Sequence, residues 1–152
     1  MNFFVLLSTL GAGLGLSAGL AFNLRLARAL GTPLAATLVN FVVGAVLLLG
    51  LWFVGLDGVR PTAFPPLWTL FGGLLGATYV TLSLVGAAQL GVGVSTVAVT
   101  LGQVLGALLI TAAGWFGQTL QRPTWTALLS AVLLLGAVGL LSLDRERANK
   151  TR

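Results

Sequence analysis

Five stretches of about 20 apolar residues alternate with short polar or helix-breaking segments along this chain. They cover residues 3–24, 33–54, 67–88, 94–116 and 124–143. Arg25 and Arg28 close the first stretch, and Gly31, Thr32 and Pro33 form a turn in which Pro33 is placed to open the next helix. Gly55–Pro66 holds Asp57, Gly58, Arg60 and several prolines, so no helix continues through it. Gln89, Gly91 and Gly93 separate the third stretch from the fourth. Gly117, Gln118, Gln121, Arg122 and Pro123 close the fourth, and Asp144 ends the fifth. At 1.5 Å rise, about 20 residues cross the roughly 30 Å hydrocarbon core of a bilayer. Barrel strands would be half as long and would alternate polar with apolar. The pattern predicts an all-α polytopic membrane protein with five transmembrane helices over residues 1–143, followed by a basic tail over 144–152.

Composition agrees with lipid as the main solvent. Hydrophobic residues are 57% of the 152 positions and charged residues 7%, against about a quarter charged in a soluble domain. Neither cysteine nor histidine occurs. That excludes thiolate nucleophiles, disulfides and histidine acid–base chemistry. No nucleophile–base pair and no metal-ligand cluster is visible, so neither an enzyme nor a bound metal or other cofactor is expected. The net charge of +5 is local: Arg145, Arg147, Lys150 and Arg152 lie in the last ten residues. They suit anionic headgroups, and no folded polar domain presents them to nucleic acid. With Arg25 and Arg28 they place six basic residues on one side against Arg60 and Arg122 on the other, which predicts the N-terminus outside and the C-terminus inside. Residues 3–24 lack a basic leader and are too long for a signal-peptide core, so they are read as a retained span. Trp52, Trp68, Trp115 and Trp125 fall near span ends, as an interfacial belt would place them.

No Asp, Glu, Lys or Arg lies inside any span. A site within the membrane must therefore be built from amides, hydroxyls, aromatics and backbone. Such groups recur at helical spacing. Thr96, Thr100, Gln103, Ala107 and Thr111 share one face of the fourth stretch. Gly72, Gly76, Tyr79, Ser83 and Gly86 share one face of the third. Ala36, Asn40 and Gly44 share a face of the second, with Thr37 beside them. In the first, Gly11, Gly15, Gly19 and Asn23 recur every fourth residue. Glycines at this spacing let helices approach closely, which assigns Gly11, Gly15, Gly19, Gly72 and Gly76 to helix packing. Thr96 and Thr111 have an ordinary use in bonding their own backbone carbonyls. Asn40 and Gln103 carry amides that need several partners, supplied either by interhelical bonds or by a lined cavity. The Tyr79 hydroxyl needs a polar neighbour too.

The stretches Gly13–Gly44, Leu67–Leu84 and Leu101–Leu109 carry an Asn-x-x-Leu-Ala-Arg pattern, a Gly-Thr-Pro turn and a Gly-Gly-Leu-Leu-Gly-Ala run. In these the chain resembles the YdcZ-like family of small five-span proteins in the drug/metabolite transporter superfamily. The resemblance implies one half of an inverted-repeat transporter, paired as an antiparallel homodimer or with a homologous five-span subunit. It implies a place in the prokaryotic inner membrane and a small metabolite or drug-like solute moved by alternating access. An odd number of spans makes a duplicated unit inverted automatically. Carried over residue by residue, the resemblance implies Asn23, Asn40, Tyr79 and Gln103 as solute-binding, and the polar face of the fourth stretch adds Thr100 to that set. The chain departs from the family pattern at Gly19, where relatives often carry glutamine, and at Thr111, where they often carry an acidic residue. The alternative is a non-transporting accessory or assembly protein whose polar stripes only join helices.

Overall fold

The computed structural model describes residues 2–55 and 66–150. Their elements are all helical. They are α1 (Phe3–Leu30), α2 (Pro33–Val54), α3 (Phe71–Ala113) and α4 (Trp125–Lys150), with 3-10 turns at Leu67–Leu70 and Trp115–Gly117. Four helices among the described residues are long and apolar enough to cross a membrane. Asp57, Gly58, Arg60 and Arg152 lie outside the described residues.

The third and fourth apolar stretches, expected as separate spans, are joined in α3. This helix runs for 43 residues, about 65 Å at 1.5 Å rise and twice the hydrocarbon core. Gln89 and Gly93 remain helical, and only Gly91 departs, at φ 78° and ψ 159°. That region is open essentially to glycine alone. Gly91 therefore divides α3 into segments 71–90 and 92–113, each of roughly one bilayer crossing in length.

The other boundaries follow from local chemistry. Gly31 takes the left-handed conformation that ends α1, at φ 81° and ψ −13°. Thr32 then caps α2, its Oγ1 accepting from the Ala35 amide at 3.1 Å, and Pro33 fills the first turn, where no amide donor is needed. Two helices outlast their apolar stretches. α1 continues through Arg25 and Arg28 to Leu30, and α4 passes Asp144 to Lys150. Polarity ends a membrane span, but Arg, Ala and Leu are good helix formers, so the helix itself goes on.

The chain divides into two units, Met1–Ala88 and Gln89–Arg152. In the first, α1 and α2 form a hairpin about Gly31, and segment 71–88 completes the unit. Its buried residues are Leu24 and Ala27 of α1, Ala36 and Thr37 of α2, and Ser83, Leu84 and Ala87 of α3. Those of α1 and α2 all lie within about two turns of Gly31. Residues 3–16, 45–54 and 66–75 are exposed throughout. The apolar side chains there suit hydrocarbon as solvent.

In the second unit, a tight turn follows α3. Gly114, Phe116 and Gly117 all adopt positive φ, and the Gln121 amide returns to donate to the Thr111 carbonyl at 3.0 Å. That bond satisfies one of the carbonyls left without a partner at the end of α3. At the start of α4, the amides of Ala127 and Leu128 donate to the Thr124 carbonyl at 3.0 and 3.1 Å.

Candidate functional site

The polar centre of the first unit lies where α2 meets segment 71–88. The Thr37 hydroxyl is buried and donates to the Pro33 carbonyl at 3.0 Å. Thr81 Oγ1 stands 3.0 Å from Thr37 Oγ1 and 2.9 Å from the Ala77 carbonyl oxygen. Its single proton can serve either acceptor, and with Thr37 donating to Pro33, the donor of the interhelical bond is Thr81. One turn further along α2, the Phe41 ring lies 3.5 Å from the position a side chain at Gly76 would occupy. Thr37 and Phe41 thus turn the same face of α2 toward segment 71–88. A side chain larger than a methyl at Gly76 would meet that ring.

Asn40 sits between two directions on α2: the face of Thr37 and Phe41, and that of Ala36, which is fully buried. Its Nδ2 is buried and has no hydrogen-bond partner. Most buried polar atoms are bonded, so an orphan donor calls for a cause. In hydrocarbon no lipid group can supply the missing acceptor. Asn23 of α1 is half-buried. It lies seven residues before Leu30 where Asn40 lies seven after Pro33, so the two amides stand at about the same depth, roughly 10 Å from the turn. Tyr79 is on the same unit and is 36% exposed.

Thr100 and Gln103 belong to the second unit. The Thr100 hydroxyl donates to the Thr96 carbonyl at 2.9 Å, Thr96 to Val92 at 2.8 Å and Thr111 to Ala107 at 2.8 Å. These hydroxyls satisfy themselves on their own helix. Gln103 is exposed. The threonine stripe of 92–113 is therefore a row of quiet hydroxyls with one projecting amide.

The glycine face of α1 points elsewhere. Ser17, Leu20, Leu24 and Ala27 form its more buried face, while Gly11 and Gly15 fall on the opposite one. Nothing lies within 4 Å of a side-chain position at Gly11, Gly15, Gly19 or Gly72.

The pattern of the sequence missed two features. Thr81, which holds α2 to α3, was not singled out, although Thr78 and Thr81 recur at helical spacing. The second is the reach of Arg145 from the end of α4 to Gly91, where Nη1 lies 2.8 Å from the position of a side-chain carbon.

No cluster of His, Cys, Asp or Glu able to hold a metal occurs among the described residues. The polar side chains within the apolar stretches are neutral donors and acceptors, with no carboxylate or imidazole among them.

A family model described as "Putative inner membrane exporter, YdcZ" matches residues 4–140. No curated protein and no solved structure matches the chain.

Proposed function

Because the chain belongs to the YdcZ family, a family of multi-pass inner membrane transporters, we propose that it is a half-transporter exporting a small polar metabolite or drug-like solute by alternating access. The observation that carries this reading is the orphan donor of Asn40. A buried amide left unpaired costs about 1–3 kcal/mol. A solute offering a carbonyl, hydroxyl or carboxylate oxygen would satisfy it, so the cost in the empty protein becomes affinity when the solute binds. Asn23 at matching depth and Tyr79 supply further polar contacts from the same unit.

In this reading segments 71–90 and 92–113 each cross the membrane, giving five spans with α1, α2 and α4. Support comes from the second unit, where 92–113 and the stretch from Trp125 to Arg145 are of nearly equal length, and Arg145 returns to the level of Gly91. Five spans leave one half of an inverted pair, and an antiparallel second copy or a homologous subunit supplies the other. The C-terminus lies inside, following the basic residues.

A second reading has one observation in its favour. The Thr37–Thr81 bond is interhelical glue, as an accessory or assembly protein would use it. A ligand screen separates the two. Purified protein is heated in detergent against a panel of small polar metabolites and cationic drugs. A solute present at 100 times its Kd should stabilise it by about 2.7 kcal/mol, should do nothing for Asn40→Ala, and should be transported by proteoliposomes. A panel with no stabilising compound, together with Asn40→Ala less stable than wild type, would favour glue.

A further inference from the structure

We propose that Arg145 is a clasp that closes the open end of the helical hairpin in the second unit by seating its guanidinium on the Gly91 break. Three observations converge. First, Gly91 holds a backbone conformation, φ 78° and ψ 159°, that only glycine adopts readily. Second, the space its missing side chain leaves is occupied: Arg145 Nη1 lies 2.8 Å, Cζ 3.6 Å and Nη2 3.9 Å from where a Cβ would stand. Third, the connection at the other end of the hairpin is already tied, by the Gln121 amide on the Thr111 carbonyl, so the Gly91 end is the one in need of closure.

The chemistry suits a cation. Carbonyls just before a break in a helix lose their forward amide partners and carry the negative end of the helix dipole. A guanidinium is planar, always charged and weakly hydrated for a cation, which fits it to lie against exposed backbone better than an ammonium. Its stem is long enough to run along apolar surface while the head stays at the polar edge of the membrane. The glycine is required twice over, by the backbone angle and by the space. Seated in this way, Arg145 makes 92–113 and α4 move as one body. It also gives one basic residue of the tail a task separate from setting orientation.

The test uses the whole protein in lipid nanodiscs and amide hydrogen exchange. Arg145→Ala should speed exchange across residues 88–93 by about fivefold, the factor a cation at a helix C-terminus is worth, and leave 105–113 unchanged. Arg147→Ala, which removes the same charge two positions further along α4, should leave 88–93 at wild-type rates. If Arg145→Ala fails to insert, Arg145→Gln carries the same expectation. Gly91→Ala gives an independent readout, because the added methyl takes the place of Nη1 and expels a flexible side chain: trypsin should cut after Arg145 faster than in wild type. Wild-type exchange at 88–93 in the Arg145 variants, equal acceleration by Arg147→Ala, or unchanged cleavage in Gly91→Ala would each overturn the proposal.

Discussion

Replacing Asn40 with leucine should make the protein more stable and at the same time inactive. In the empty protein Asn40 Nδ2 is buried without a partner, and an unsatisfied donor costs about 1–3 kcal/mol. Leucine has the same branched four-atom shape, is somewhat larger and brings no donor, so the substitution removes this penalty without opening a cavity. For a chain of this length each kcal/mol moves Tm by roughly 2–4 °C, so a rise of about 5 °C is expected near the middle of the range. The assay is thermal unfolding in detergent without solute, paired with export from proteoliposomes. The opposite sign is expected if the amide is a structural joint, because its partner would then be left unpaired and Tm would fall by a similar amount. A lowered Tm, or a raised one with export intact, refutes the assignment of Asn40 to the solute.

Three further outcomes are expected. Gly15→Leu should leave the stability of the single chain within about 0.5 kcal/mol, as substitutions at open sites do, since nothing lies within 4 Å of that position; any effect should appear as a loss of dimer by light scattering, and a large fall in monomer Tm would show that the face is packed within the chain. Reporter fusions at the C-terminus should be active mostly in the cytoplasm, and removing the four basic tail residues should weaken that bias, because the loops that remain are balanced. With no carboxylate or histidine in the apolar stretches, the protein reconstituted alone should not accumulate a non-titrating solute on a pH gradient at zero voltage; a charged solute should still be driven by about 2.3 kcal/mol per charge per 100 mV, and uphill transport with a fixed proton stoichiometry would refute this.

The helices could be read from the sequence because lipid imposes so strong a rule: long apolar runs, punctuated where the backbone must turn. Gly31, Thr32 and Pro33 were legible as a turn with Pro33 opening the next helix; that Gly31 ends α1 and Thr32 caps α2 came from the structure. The break near Gly91 was announced as well, but three candidate residues stood within five positions. Only φ and ψ single out one, because a helix tolerates Gln89 and Gly93. The helices α1 and α4 run several residues past the expected spans, since hydropathy reports where lipid ends and not where a helix does. Within the site, periodicity put Thr96, Thr100 and Thr111 on one face but could not say where their hydroxyl protons go. Asn40 and Gln103 looked alike on paper; one has a buried orphan donor and the other is exposed. That difference depends on which neighbouring helix stands opposite, and one chain's spacing does not contain it.

The one-sided packing of the first unit has a mechanical side. The buried residues of α1 and α2 cluster near Gly31, while residues 3–16 and 45–54 are exposed. Each helix is thus a rod gripped at one end. From Ser17 to Phe3 the free arm of α1 is about 21 Å long at 1.5 Å rise. A tilt of about 10° at the grip, well within the spread of tilts that membrane helices adopt, moves its tip by roughly 4 Å. A disturbance too small to disrupt Leu24 and Ala27 is multiplied several-fold at the tip. The leverage is greatest on the membrane face farthest from Gly31, and bilayer thickness and lateral pressure act directly on those tips.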